Sequence, residues 1–263
     1  MISQHKQWVI DIFNRASPDF GEKGCSYFDF FGARLVELNP LAKNSKVLDA
    51  ATGKGAVLAA AARTLDPQAQ LVGIDISPKM LQETKKRVPA WVELKEMDAE
   101  HLVFSDQSFD IVFCAFAIYF FPDVKAVLSE FKRVLKPNGR IAISSFGKRH
   151  SLTEWTYNRA RELGAKQELI IHPFDTPDSL KNLLEAAGLK NIEIHVESDS
   201  FSFANDQCWW ESLWSHGVRA VLEQLSKKNL EILRQEAFAR AREIFQSKKI
   251  TIEHQGIFIS AQT

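Results

Sequence analysis

Three carboxylates stand where short apolar stretches of this chain end. Asp49 lies within VLDA, Asp75 closes LVGID, and Asp98 begins DAE after an apolar-to-polar stretch. An acid inside an apolar strand is costly to bury unless something at the strand's carboxyl end partners it. An acid closing the next strand can accept hydrogen bonds from both hydroxyls of a ribose, and one closing the third can accept from the exocyclic amine of adenine. Between the first two acids runs Gly53-Lys54-Gly55-Ala56-Val57-Leu58. A phosphate-cradling loop is longer, richer in glycine, and ends in Lys followed by Ser or Thr. Here Lys54 sits between the glycines and Ala56 stands where a hydroxyl belongs. A dinucleotide loop asks for a third glycine at the position of Leu58. The three acids therefore suit a ligand with a cationic amine, a ribose and an adenine, and no phosphate. Lys54 is left as an expected solvent-facing loop residue.

Positioning three strand ends side by side requires a parallel sheet, and the pattern supplies one. Strands are expected over residues 46–51, 71–75, 92–97, 109–115 and 140–146, alternating with helices over 56–65, 79–88 and 124–135. Such alternation marks a doubly wound α/β fold. Ser77 can cap the second of these helices with Pro78 in its first turn. Asp123 can cap the third, and Lys136-Pro137-Asn138-Gly139 stops it. Further on, Thr176-Pro177-Asp178 opens a helix that Gly188 closes. Two last strands, 191–197 and 252–261, flank a helical insertion over 206–247. Its first helix is expected to align Trp210, Leu213, Trp214, Gly217, Val218, Val221 and Leu225 on one face, and its second Leu230, Leu233, Ala237, Ala241 and Ile244. Residues 3–40 read as two helices. The fold class is α/β: a doubly wound, Rossmann-like, seven-stranded and mainly parallel sheet. One domain spans 1–263, with N-terminal helices to residue 43, a ligand-binding core over 44–150 and a substrate-side half over 151–263.

Bulk composition restricts the partners. The chain has 263 residues, 45% hydrophobic and 25% charged, with zero formal net charge, which is ordinary globular composition. Nucleic-acid affinity rests on phosphate neutralisation, so no nucleic-acid partner is expected. Lys85-Lys86-Arg87 and Lys248-Lys249 read as solvated faces. Cys25, Cys114 and Cys208 lack disulfide or metal spacing, and no metal site is expected. The amino terminus lacks a signal-peptide core and no run is long enough for a membrane span, so a cytoplasmic location is expected. Oligomeric state is open.

Taken together and in order, DAATGKG, LVGIDIS, MDAE, FDIVFCAFAIYFFPD and LKPNGRIAISSF resemble the class I S-adenosylmethionine-dependent methyltransferases, in particular the ubiquinone/menaquinone-biosynthesis type of small-molecule enzyme. The resemblance covers residues 44–150 and extends to DSLKNLLEAAGL. It implies S-adenosyl-L-methionine as cofactor. Asp49, Gly53 and Gly55 match the first motif, beneath the methionine part, and Ala51 stands where the family's commonest first glycine would be. Asp75 matches the ribose acid and Ile76 an apolar residue on the adenine face; Met80 is added to this set. Asp98 and Ala99 match the adenine-edge pair, and Cys114 and Ala115 a strand end whose backbone faces the methionine moiety. Asp98 could instead only cap the turn before Glu100.

Methyl transfer from a sulfonium needs donor and acceptor held in line and water excluded; a base is needed only if the acceptor must lose a proton. The fourth strand ends in CAFA, not in the Asn/Asp-Pro-Pro-Tyr/Phe of amino methyltransferases on adenine or glutamine. AIYFFPD has neither glutamate of the protein-arginine type, and no acidic cluster matches the metal-dependent catechol type. The expected acceptor is a small, fairly apolar molecule. Trp155, Trp210 and Trp214 are candidate acceptor contacts, although tryptophans at helical spacing also serve as core. His216 is the candidate base, and His101 an outward neighbour of the adenine site. An RNA or protein methyltransferase and a non-catalytic S-adenosylmethionine-binding protein are the alternatives.

Overall fold

The first strand, β1 (Val47–Ala50), is buried at every residue, as is β2 (Leu71–Asp75), because both lie inside a sheet covered on two faces. In the computed structural model, which describes residues 3–21, 26–166, 173–247 and 249–263, two helices precede them, α1 (Gln4–Ala16) and α2 (Tyr27–Glu37). Cys25 and Lys248 lie outside the described residues. α3 (Ala56–Ala61) links β1 to β2, and α4 (Pro78–Lys85) leads to β3 (Glu93–Glu96). Ser77 caps α4 by accepting from the Met80 N–H at 3.2 Å, and Pro78 occupies its first turn. Then come β4 (Phe109–Ala115), α5 (Val124–Val134) and β5 (Leu135–Phe146). Asp123 caps α5 through the Ala126 N–H at 3.0 Å. The second half holds α6 (Ser151–Glu162), α7 (Pro177–Ala186), β6 (Lys190–Phe203), α8 (Asp206–Ser212), α9 (Arg219–Leu222), α10 (Lys227–Phe245) and β7 (Ile250–Gln262).

The strands form one seven-stranded sheet in the order β3-β2-β1-β4-β5-β7-β6. β1 to β5 pair in parallel, and β7 runs antiparallel to both β5 and β6. The order reverses beside β1, which leaves a crevice at the carboxyl ends of β1, β2 and β4. One sheet face packs Leu48, Val72, Val112 and Ile141 with Phe131 of α5 and Leu180 of α7. The other packs Val47, Leu71 and Phe113 with Phe31 and Leu35 of α2 and Leu58 of α3. Fully burying an aliphatic side chain of this kind contributes about 1.5–3 kcal/mol, so the sheet's two covers hold the strand ends in place.

Two expectations change. The insertion's first helix is not continuous: α8 passes into a 3-10 turn, Leu213–Ser215, and His216 is extended before α9 begins. The Ser212 and Ser215 hydroxyls donate to the Trp209 and Ser212 carbonyls at 2.6 and 2.7 Å. Gly217, a poor helix former, follows the break. The β6–β7 ladder is also longer than expected, running from Lys190 opposite Gln262 to Phe203 opposite Ile250. Ser198, Asp199 and Ser200 lie beyond the expected end of the strand, and cross-strand pairing carries the ladder through them despite their polarity. α6, α8, α9 and α10 share a third core around Trp209, Trp210, Leu213 and Leu233.

Candidate active site

Asp49, Asp75 and Asp98 line one cavity at the carboxyl ends of β1, β2 and β3. Asp49 is 1% exposed and accepts from the Thr52 hydroxyl at 2.5 Å through Oδ2. Its Oδ1 is buried with no partner among the described residues. Burial, and then the charge of Asp75, pushes its carboxyl up to about 7. Asp75 accepts from the Gly53 N–H at 2.9 Å and the Ser77 N–H at 2.8 Å. Burial outweighs those donors and holds it at about 6. Two acids held above their ordinary range by burial in one cleft mark a candidate functional site.

The loop after β1 gains its shape from backbone geometry. Ala51 takes φ +56 and Gly53 φ +55, the left-handed region that side chains disfavour. The turn directs the Gly53 N–H onto Asp75. Gly55 does something else. It has φ +78, and a Cβ there would stand 2.6 Å from Cγ2 of Thr84. Gly55 therefore lets the loop approach α4, where the Thr84 hydroxyl donates to the Gly53 carbonyl at 2.5 Å; it does not line the cavity.

Asp98 has more partners than its motif reveals. Its Oδ1 accepts from the Glu100 N–H at 3.0 Å, the turn-capping bond. Its Oδ2 lies 2.5 Å from Nζ of Lys6, which is also 2.5 Å from Oε2 of Glu100. Lys6 belongs to α1, which roofs the cavity with Lys6, Val9 and Phe13. Asn14 Oδ1 accepts from the Ser77 hydroxyl at 2.8 Å, tying the other end of α1 to α4. Nothing in the local sequence around Lys6 announces this contact, 92 residues away.

Opposite the acids the cavity becomes aromatic. Tyr27 and Phe28 of α2, Phe116, Phe120 and Phe146 contribute rings, and Tyr119 and Tyr157 contribute phenols. Phe116 and Phe146 centroids are 4.3 Å apart. His254 of β7 stacks on Tyr27 at 4.3 Å and 27°. His216, brought in by the break between α8 and α9, is 6.2 Å from Tyr27. Burial, and then the neighbouring His254, pushes His216 down to about 3; burial, and then His150, holds His254 at about 4. Lys148 and Arg149, just after β5, and Glu253 stand on the same lining.

Of the expected cofactor residues, Asp49, Ala51, Gly53, Asp75, Ile76, Met80, Asp98, Ala99 and Ala115 line the cavity. Cys114 is wholly buried in the core behind it. His216 lines it and His101 is exposed outside it. The tryptophans are not brought to it: Trp155 packs on the insertion core, while Trp210 and Trp214 line a separate groove with Leu230 and Arg234. The insertion meets the cavity through its break, not through its indoles. Lys54 is corrected too. It is 5% exposed, on the lining, with Nζ 3.4 Å from the Pro18 carbonyl that it donates to. Pro18 and Phe20, just after α1, lie against this loop, Phe20 within 3.8 Å of where a Cβ on Gly53 would stand. Sequence reasoning did not single out Lys6, Phe146, Arg149 or His254.

Orphaned Asp49 Oδ1 and the acids at three strand ends fit a cofactor with an ammonium, a ribose and an adenine. The family model described as methyltransferase domain matches residues 48–143. A demethylmenaquinone methyltransferase of Lactobacillus johnsonii is 33% identical over 71% of this chain and 86% of its own length. A nocamycin O-methyltransferase of Saccharothrix syringae is 29% identical over 81% and 83%. A solved phosphoethanolamine N-methyltransferase 2 of Haemonchus contortus, holding phosphomonomethylethanolamine and S-adenosylhomocysteine, shares the fold. Its TM-score is 0.58 at 19% identity, over 100% of this chain and 60% of that one.

Proposed function

Since this chain belongs to the class I S-adenosylmethionine-dependent methyltransferases and, like its relatives, methylates a small molecule, we propose how its residues divide that work. S-adenosylmethionine, when bound, supplies an electrophilic methyl on a sulfonium. Asp49 takes the ammonium of the amino-acid end, where its bare Oδ1 offers the acceptor. Asp75 accepts from the ribose hydroxyls, its position held by the Gly53 and Ser77 N–H groups. Ile76 and Met80 pack on the adenine, and Asp98 with Ala99 meets its edge. Ala51, Gly53 and Ala115 keep the wall low enough for close approach. Gly55 and Cys114 act behind that wall, as packing residues.

The acceptor is small and fairly apolar. It lies on the aromatic side of the cavity, where Tyr27, Phe28, Phe116 and Phe146 exclude water. Holding the acceptor in line and dry accounts for most of the rate that positioning can supply, up to about 7–11 kcal/mol of the barrier. The observation that carries this reading is the single cavity with three acids on one side and an aromatic wall on the other. Both faces are needed, one for the adenosyl group and one for a small, fairly apolar acceptor. Chain 1–263 acts as one domain in this reading, and it works in the cytoplasm, where a buried free thiol such as Cys114 suits a reducing setting.

Calorimetry on the folded protein tests the cofactor half. S-adenosylhomocysteine binds and NAD does not; Asp75→Ala weakens the first at least tenfold, the loss of a hydrogen bond to a charged group. Unchanged affinity in Asp75→Ala would displace the ribose from this acid. Labelled S-adenosylmethionine with a metabolite extract then finds the acceptor.

A further inference from the structure

We propose that α1 is a gate for cofactor exchange, held shut from the helical insertion by a clasp of Arg15, Glu223 and Arg219 that lies outside the cavity. This assignment rests on the methyltransferase reading and adds to it how the cofactor enters and leaves. The need for a gate comes from burial. Asp49, Asp75 and Met80 are 1%, 8% and 1% exposed, yet all three line the cavity assigned to the cofactor. A molecule of adenosyl size reaches side chains so covered only when a wall moves.

Most of the walls are fixed. The strand ends belong to the sheet, and α2 and α3 share the core on one of its faces. α1 is different. It gives Lys6, Val9 and Phe13 to the lining, but among the described residues none of its own joins any of the three cores. Its first turn is latched by Lys6, whose Nζ lies 2.5 Å from both Asp98 and Glu100. There too His5 Nε2 donates to the Phe120 carbonyl at 2.9 Å. In its middle the Phe13 ring stands edge-on to Phe120, with centroids 5.0 Å apart. Besides the Asn14–Ser77 bond, its last turn is held by the insertion. An element fixed by a few polar contacts and no core opens locally at low cost.

The clasp has three members. The Arg15 guanidinium donates to Glu223, just past α9, at 3.1 and 2.7 Å. Glu223 also accepts from Nε of Arg219 at 2.7 Å, and Arg219 donates to the Arg15 carbonyl at 3.0 Å, which serves a carbonyl left over at the end of α1. α9 begins one residue after Val218, which with Gly217 lines the cavity. A Cβ on Gly217 would stand 3.4 Å from the Phe120 ring that packs on Phe13. The part of the insertion that faces the acceptor is therefore the part that grips α1. Glu100 lets the gate close over a bound cofactor. When the adenine amine takes Asp98, Lys6 keeps Glu100, whose other oxygen accepts from the Asp123 N–H at 3.3 Å.

Stopped-flow mixing of the full chain with S-adenosylhomocysteine, followed by intrinsic fluorescence, reads both rate constants. A looser gate opens in both directions. Glu223→Gln is expected to raise association and dissociation together, by about two- to fivefold each, the range an exposed ion pair supplies, and to leave affinity within about twofold. Arg15→Gln does the same, and the double variant adds little to either single one because both break one pair. Glu236→Gln is the control: it breaks a similar pair with Arg159, at 2.6 and 3.0 Å between α6 and α10, and leaves both rates unchanged. Any result in which the two rates of Glu223→Gln and Arg15→Gln do not rise together overturns the gate, including faster dissociation matched by lost affinity. If S-adenosylhomocysteine fails to bind the parent protein in calorimetry, the methyltransferase reading of the cavity falls instead.

Discussion

Cofactor affinity is expected to titrate with Asp49. In the free protein its carboxyl sits at about 7, raised by burial first and by Asp75 second, and Oδ1 has no donor among the described residues. The ammonium of S-adenosylmethionine or its product pairs with the ionised acid. Below 7 the proton must leave before the pair forms, so affinity falls about tenfold per pH unit, near a hundredfold by about pH 5 relative to pH 8. Asp75, held at about 6, steepens the lower part of the curve. Calorimetry with S-adenosylhomocysteine in two buffers of different ionisation heat reads both affinity and protons, and near pH 6 about 0.9 proton should leave Asp49 and about half a proton Asp75. Asp49→Asn flattens the profile and binds at least tenfold more weakly at pH 8. The same acid sets a stability signature. Its folded value of about 7 lies well above the ordinary carboxylate range, so the folded state alone holds a proton between about pH 4 and 7. Stability therefore falls as pH rises through that window, by roughly 4 kcal/mol in all. Asp49→Asn removes this loss, and the cofactor-free variant should melt higher than the parent at pH 8 and alike near pH 4. An affinity flat from about pH 5 to 8, with no proton released, would refute the assignment of an uncompensated carboxyl.

The other expectations address packing. Gly55→Ala forces a Cβ to within 2.6 Å of Thr84 at φ +78 and should cost about 1–3 kcal/mol in denaturant melts; Gly53→Ala, with 3.8 Å to Phe20, should cost about 1. A larger loss at Gly53 would mean that close packing is not what Gly55 provides. Lys6→Met strips Asp98 and Glu100 of their shared cation, and stopped-flow mixing should show S-adenosylhomocysteine leaving faster as α1 loosens; an unchanged off-rate would separate α1 from cofactor retention. Trp210→Ala, from a side chain 5% exposed, should cost about 3–5 kcal/mol. Trp214→Ala should leave the acceptor KM unchanged in a turnover assay, and a raised KM would return the indole to the acceptor side.

Consecutive apolar stretches ending in acids were legible because each strand's burial is written in its own residues: VLDA and LVGID need no knowledge of the rest of the chain. The caps at Ser77 and Asp123 are equally local, since the bond closes three residues on. Lys54 was not legible. Its exposure depends on Pro18, 36 residues earlier, and a loop lysine reads as solvated until that segment folds over it. Gly55 looked like a ligand glycine because a motif records spacing but not which neighbour fills the space. In the insertion, helical periodicity grouped Trp210 and Trp214 with Gly217. The break at His216 then turned the indoles toward α10 and the imidazole toward the cavity.

The chain alone determined the sheet, the three acids and the absence of a phosphate cradle, because backbone periodicity and short-range loop chemistry act over a few residues. Only the tertiary structure decided what surrounds those acids: the Lys6 ammonium on Asp98, the bare Oδ1 of Asp49, and the meeting of Tyr27, His216 and His254 from three distant segments. Burial and Coulomb interactions depend on distance in space. Separation along the chain carries no record of that distance until the sheet order β3-β2-β1-β4-β5-β7-β6 has set it.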